Sequence, residues 1–418
     1  MSAPAAVVYL ELAGTSRLVG HLFAHTTRGQ QVATFQYAPA WVDAPDHLAL
    51  APALAVSVGP YFTTPGQSLF GALSDSAPDR WGQTLMRRAE RRRAEAAGTA
   101  PRTLLAVDFL LGVTDSVRQG ALRFAVTEAG AFVAPEQSTG VPPLVELPRL
   151  LSATDRFLAD EESAADLRLL LAPASSLGGA RPKAAVRDGS GRLLTAKFPK
   201  TDDEYRLVAW EAVALDLADD AGIRVPDYRL ESVAGRDVLL VTRFDRERVE
   251  RVPYLSALSL LDAFDGDARS YVEIADAIRQ HGANPIEDVR ALWRRLVFSV
   301  LISNTDDHLR NHGFLYAGLA GWLLAPVFDV NPVPLDIKPR LLSTSIGPDG
   351  DASASLELAR AAAPQFGLTS DAANAIIRSV GQAVATWRTV ATRRGLSKAE
   401  TDRMASAFEH AELVDALR

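Results

Sequence analysis

The chain has 418 residues, 48% hydrophobic and 23% charged, with 44 Lys+Arg against 51 Asp+Glu and a formal net charge of −7. This is ordinary globular usage at a length of two to three domains of ~150 residues, and the acidic balance excludes a protein that coats nucleic acid by charge alone, while leaving room for a local basic patch. With no cysteine and seven scattered histidines, disulfides, thiolate nucleophiles and Cys-based zinc sites are excluded. No apolar stretch reaches the ~18 residues of a membrane span, and the apolar run at the start has no basic region before it, so a cytoplasmic protein without membrane contact is expected.

The first ~75 residues read as short strands and turns: VVYLEL, RLVGHLFAH and QVATFQYAP carry β-branched and aromatic residues between turn signals. Trp81 to Ala97 is a helix that stops near Gly98 and Pro101, and Leu104 to Leu111 continues in helical style. Residues 127–146, rich in Gly, Pro, Ser and Thr, read as a linker. A helical stretch runs to Pro173, followed by a glycine loop, the strand-like AAVRD and LLTAKFP, an amphipathic helix from Glu204 to Asp220, and the strand DVLLVTRFD. From about residue 255 the pattern is helical apart from a loop-rich section around 304–350. The expected division is therefore 1–145, a β-rich subdomain with helices; 146–254, mixed α/β; and 255–418, mostly helical.

The chemistry is concentrated in a few segments. The chain has five Lys against 39 Arg, and three of the five, Lys183, Lys197 and Lys200, fall in one short window. Lysine is a compact point charge where arginine is a fork, so that window calls for the point charge. Ser175-Ser176-Leu177-Gly178-Gly179-Ala180-Arg181-Pro182-Lys183 is a loop whose glycines allow close backbone approach to a phosphate, although it is not a Walker A loop. Lys197 sits in a short apolar strand, where an ammonium needs a partner unless the strand is an edge facing water. Glu211, fourteen residues on, is either that partner or a solvated helix charge. The segment Ser303-Asn304-Thr305-Asp306-Asp307-His308-Leu309-Arg310-Asn311-His312 packs carboxylates, amides and imidazoles between apolar flanks. Asp306-x4-Asn311 has the spacing of the protein-kinase catalytic loop, where the Asp faces the substrate hydroxyl and the Asn binds metal. Asp307 is the competing register, and His308 and His312 with the two Asp are an alternative metal set. Asp329 follows an apolar strand (Trp322 to Phe328) and suits a magnesium carboxylate. Glycine loop, strand Lys, helix Glu, Asp-x4-Asn and strand-end Asp occur in kinase order.

With those residues named, the chain resembles the HipA family of bacterial toxin kinases, in LGGARPKA, LLTAKFP, LLVTRFDR, SNTDDHLRNHGF, LAPVFDV, GIRVPD and the N-terminal LFGALSDSAPDRWG. The resemblance implies an α+β, two-lobed protein-kinase-like fold, with a β-rich N-terminal subdomain and a mostly helical C-terminal lobe. It implies ATP and Mg2+ as cofactors. Lys197 would contact ATP phosphates, Glu211 would steady it, and Asp306 would be the catalytic carboxylate. Asn311 and Asp329 would hold Mg2+, with Gly178, Gly179, Ala180, Lys183, Phe244, Asp245 and His308 also at the nucleotide. Ser176, or Ser175 beside it, would be an autophosphorylation site acting as an off-switch, because added negative charge there repels ATP. The implied partner is a small helix-turn-helix antitoxin of the HipB kind, with DNA reached only through that complex. The implied protein substrate is an aminoacyl-tRNA synthetase. Trp210 departs from the family pattern and leaves open how the Glu211 helix packs. The cluster Arg87, Arg88, Arg91, Arg92, Arg93 either touches DNA in such a complex or is a solvated helix face with Glu90 and Glu95 as local partners. A serine/threonine-protein kinase is the first reading. A non-catalytic kinase-like corepressor and a small-molecule kinase are the alternatives.

Overall fold

The computed structural model describes residues 3–418 except 28–29, 129, 134–139, 175–178 and 249. Ser175, Ser176 and Gly178 therefore lie outside the described residues. The chain divides into two compact units, one of Met1–Asp202 with Ser232–Leu255 and the other of Asp203–Glu231 with Ser256–Arg418.

The first unit opens with an antiparallel sheet of β1 (Ala6–Leu12), β2 (Thr15–Thr27), β3 (Gln30–Tyr37), β4 (Pro60–Phe62) and β5 (Leu122–Ala125), in the order β4-β3-β2-β1-β5. β1 and β2 pair from Leu12 with Thr15, leaving only Ala13 and Gly14 between them, at φ 47° and 74°. Two consecutive left-handed residues match the right-handed twist of the flanking strands. A second set comprises β6 (Lys183–Arg187), β7 (Leu193–Lys197), β8 (Tyr228–Val233) and β9 (Arg236–Thr242). The turn between β8 and β9 repeats the device with Ala234 and Gly235 at φ 50° and 77°. β7 lies between β6 and β9. Lys197 is thus on an interior strand, opposite Lys183 on one side and Leu239 on the other, and the edge-strand alternative falls.

Strand periodicity sets two faces. Ala184, Val186, Leu194, Ala196, Val238 and Leu240 pack with Trp81 and Leu85 of the helix Arg80–Ala97 and with the helices Leu147–Leu158 and Ala164–Leu171. Ala185 and Leu193, on the other face, meet Val113 and Val117. Elements from both sides of residues 145/146 share this core. The described part of the expected linker is bonded to the unit, with Val133 N–H donating to Phe124 O at 2.8 Å and Arg187 N–H to Pro142 O at 2.9 Å. The Glu211 helix groups with the second unit.

The two-residue strands β10 (Arg246–Glu247) and β11 (Glu250–Arg251) belong to the first unit; the second unit, rich in helices, carries a hairpin of β12 (Gly313–Tyr316) and β13 (Trp322–Leu324). The helix Pro285–Leu301 is buried on nearly every side over its last two turns, the mark of a central helix. Trp210, on the helix Leu207–Asp220, is fully buried with its ring 6.1 Å from those of Trp387 and Phe408, which stack on each other at 4.6 Å. That aromatic trio fixes how the Glu211 helix packs. Among the described residues no helix is long and apolar enough to cross a membrane.

Candidate active site

The helix Pro285–Leu301 ends at Ile302, and Ser303 turns the chain at φ 53°. A serine in this region is uncommon, and the turn is held: Ser303 Oγ donates to Ala407 O at 2.8 Å, and Arg340 bonds both Ser303 Oγ and Val300 O. The loop that follows separates the two Asp registers. Asp307 is buried; its Oδ2 accepts from Tyr271 Oη and from Ser299 Oγ at 3.1 Å, and its backbone O accepts from Thr344 Oγ1 at 2.7 Å. His312 Nε2 lies 3.2 Å from Asp307 Oδ1, close enough for Coulomb attraction but without hydrogen-bond alignment. Asp306 carries its carboxylate outward, exposed, while its backbone O accepts from Asn311 Nδ2 and from His308 N–H, both at 3.0 Å. So one carboxylate clamps the loop from behind and its neighbour is presented to solvent.

Asn311 is buried, and with Nδ2 turned to Asp306 its Oδ1 has no hydrogen-bond partner. A buried acceptor left unpaired costs ~1–3 kcal/mol, which a cation would offset. Asp329 follows at φ 59°, half-buried. Its segment is tied to the same loop, with Asn331 N–H donating to Asn304 Oδ1 at 3.3 Å and Val333 N–H to Ser303 O at 3.2 Å. The Asn331 Oδ1 is likewise without a partner. Hard oxygen donors from Asn and Asp fit Mg2+. The alternative cage of His308, His312 and the two Asp does not form: among the described residues no group of three His, Cys, Asp or Glu could hold a metal. Glu211 is buried on its helix in this same unit.

In the first unit, Lys197 is half-buried at the end of β7, Gly179 takes φ 102°, and Ala180 is exposed beside it. Two residues expected at the nucleotide are otherwise engaged. Lys183 is buried with its Nζ 2.7 Å from Asp79 Oδ2; Asp79 Oδ1 caps the helix Arg80–Ala97 at Gly82 N–H, 2.8 Å. Asp245 is wholly buried: Arg243 reaches its oxygens at 2.7 and 2.5 Å, Arg246 Nη1 at 2.7 Å and Gly120 N–H at 2.7 Å. Three of these four bonds converge on Oδ2 and one falls on Oδ1, so the carboxylate is held chiefly by its own arginine neighbours and Gly120. Burial pushes its pKa up, but the Arg243 and Arg246 charges outweigh burial and hold it well below the usual carboxylate range. Gly120, at φ 70°, brings its N–H to that carboxylate where a Cβ would meet Tyr254 at 3.2 Å. Phe244 is half-buried, its ring 6.4 Å from that of Tyr254.

The arginine cluster on Arg80–Ala97 is no bare basic face. Arg88 and Arg92 converge on Glu162, whose side chain is fully covered, and Arg93 forks onto Glu90. Arg87 lies over the Phe109 ring and bonds Gln83. Spacing along the sequence could not reveal Glu162, Asp79, Tyr271 or Ser299 as partners, since each meets its contact only in the fold. The Asp-x-Trp opening of a helix was the one readable hint, for Asp79 as an N-cap.

Residues 175–387 match the HipA-like C-terminal domain and residues 10–108 the HipA N-terminal domain. The fold matches a chain of the Shewanella oneidensis MR-1 toxin–antitoxin complex of HipA, HipB and operator DNA, at a TM-score of 0.66 and 16% identity over 99% of this chain and 96% of that one. The chain belongs to the HipA family, and its α+β, two-lobed kinase-like fold is the family's. It is 27% identical over 329 residues, 71% of each chain, to Y4mE of Sinorhizobium fredii, a protein named for a proposed kinase activity. A Haemophilus influenzae protein, also named for a proposed kinase activity, is 30% identical over 160 residues, 34% of this chain. The match spans about half of that relative, 47%.

Proposed function

We propose that the chain is an ATP- and Mg2+-dependent serine/threonine-protein kinase, the toxin of a toxin–antitoxin pair. The observation that carries this reading is the paired geometry of the catalytic loop: an exposed Asp306 carboxylate beside a buried Asn311 Oδ1 that has no partner among the described residues. Phosphoryl transfer asks for that combination, a carboxylate at the attacking hydroxyl and an amide oxygen on the metal. Asp306 takes the hydroxyl proton at its free carboxylate, while Asn311 Nδ2 fixes the Asp306 backbone. The Asn311 Oδ1 and Asp329 would hold Mg2+, which supplies charge neutralisation at the transferring phosphate. Lys197 is assigned to the ATP phosphates, with Glu211 as its acidic counterpart and Gly178, Gly179 and Ala180 as loop backbone. Ser176, with Ser175 as the alternative, is assigned as the acceptor whose phosphorylation silences the enzyme. A HipB-like helix-turn-helix protein is the proposed antitoxin and an aminoacyl-tRNA synthetase the proposed target, both on family resemblance.

The test is the intact mass of the purified chain, shown to start unphosphorylated, after incubation with MgATP beside Asp306→Ala. One added phosphate in the wild type alone is expected. Equal phosphate gain by the variant would sink the role of Asp306, and no gain in either, with no transfer to a synthetase, would sink the kinase reading.

A further inference from the structure

The buried polar network of the first unit does not balance. Among the described residues, Arg118, Arg243 and Arg251 are buried and Arg246 and Arg123 are largely covered, while the carboxylates that meet them are Glu11, Asp115 and Asp245. Five guanidiniums against three carboxylates leave an excess of two positive charges. The pairings use the carboxylates up. Asp115 takes Arg123 and Arg251, Glu11 takes the same two, and Asp245 takes Arg243 and Arg246. Arg118 is left with two backbone carbonyls, those of Ser76 and Val113. The Nη1 of Arg251, which is nine-tenths buried, has no acceptor among the described residues. Burial holds Arg118 down to about 9 and Arg246 down to about 10, against an ordinary arginine.

Beside this excess lies a cavity of about 250 Å³, lined by Arg123, Arg246 and Arg251 inside together with Glu11, Asp115, Ser116 and Leu193, and by Arg187 and Arg248. Arg248 is exposed and sits at φ 57° in the turn joining β10 to β11. Arg187 spends one donor on Gly191 O. An uncompensated buried cation is among the costliest features a fold can carry, and guanidinium forks match the oxygens of a phosphate.

We propose that this cavity binds a small dianionic phosphate, either the free ion or a phosphomonoester, whose charge is met by the arginines that line it. This site is separate from the residues assigned to phosphoryl transfer and stands whether or not the chain is a kinase. The volume holds a phosphate group with a few further atoms and lies just below the ~300–1,000 Å³ of ordinary ligand pockets.

The experiment is calorimetric titration of the full chain, in chloride buffer at fixed ionic strength, with inorganic phosphate and with glycerol phosphate. The variants are Arg248→Ala, which removes an exposed side chain, and Arg251→Gln, inside the cavity. Lys197→Ala separates this site from phosphate bound among the nucleotide residues. Saturable binding by wild type and Lys197→Ala is expected, weakened tenfold or more in Arg248→Ala. Tighter binding of glycerol phosphate identifies the monoester as the ligand, and tighter binding of the free ion identifies phosphate. No heat beyond dilution from either probe would overturn the proposal, and so would an unchanged affinity in Arg248→Ala. If Arg251→Gln fails to fold, Arg248→Ala decides alone.

Discussion

Replacing Asp245 by Asn tests whether this residue is a structural linchpin and not a nucleotide ligand. The carboxylate accepts from Arg243 Nε at 2.7 Å and Nη2 at 2.5 Å, from Arg246 Nη1 at 2.7 Å and from Gly120 N–H at 2.7 Å. An asparagine offers one acceptor oxygen, so about half of these bonds survive, and its NH2 is forced against guanidinium donors. Two charge-assisted bonds lost at ~1.5–3 kcal/mol each, and two guanidiniums left buried without a counter-charge, put the cost at about 3–5 kcal/mol. For a unit of this size that is a fall in Tm of about 6–20 °C. Calorimetry and guanidinium unfolding read it directly. Acid adds a second arm. A carboxylate held below its unfolded value contributes stability above the unfolded pKa of ~3.9 and loses it as pH falls toward the folded one. The wild type should therefore lose stability on acidification below about pH 4–5, and Asp245→Asn should lack that share of the slope. A loss under about 1 kcal/mol, the worth of a single ordinary hydrogen bond, with an unchanged acid slope would refute the argument.

Two further substitutions separate structure from catalysis. Lys183→Met leaves Asp79 buried without its cation, which costs about 3 kcal/mol of stability while KM for ATP stays within about twofold of wild type by the logic that uniform binding is untouched; a tenfold rise in KM at full stability would return Lys183 to the nucleotide. Tyr271→Phe removes a buried donor from Asp307 and should cost about 1–3 kcal/mol. Steady-state kinetics should show lower kcat with KM for ATP unchanged, because the clamp positions the loop and not the nucleotide, and full kcat would remove Asp307 from any positioning role.

Much of this was legible because some chemistry is local. The Asp-x4-Asn spacing lies within one loop, so Asp306 and Asn311 could be named from the chain alone. The helix Arg80–Ala97 could be placed to within a residue because its stop at Gly98, in the left-handed region, is written at its end. The environment of Asp245 was only half legible: Arg243 and Arg246 stand beside it in the chain, but motif membership does not say which way a side chain faces, and Gly120, 125 residues away, meets it only in the fold. The two-acid ambiguity at Asp306 and Asp307 was equally beyond one sequence, since it is resolved by Tyr271 and Ser299, which carry no signal of their own. The core shared by elements on both sides of 145/146 was illegible for a similar reason. A stretch rich in Gly, Pro and Ser marks a surface crossing, and whether the two sides then share a core depends on packing that composition does not encode.

The start of the helix Arg80–Ala97 holds the strand side of the glycine loop at three points: Asp79 to the Lys183 ammonium, Trp81 Nε1 to the Lys183 carbonyl and Trp81 N–H to the Gly179 carbonyl. The loop is therefore hung from a beam that belongs to the N-terminal third of the chain. A chain begun at residue 146 would keep the glycine loop's letters and lose its suspension, with Lys183 stranded as a buried ammonium. Conversely, anything that grips and tilts this helix has mechanical access to the loop without touching it. The N-terminal region is in this sense a handle on the loop, and its covalent fusion to the rest of the chain makes the handle permanent.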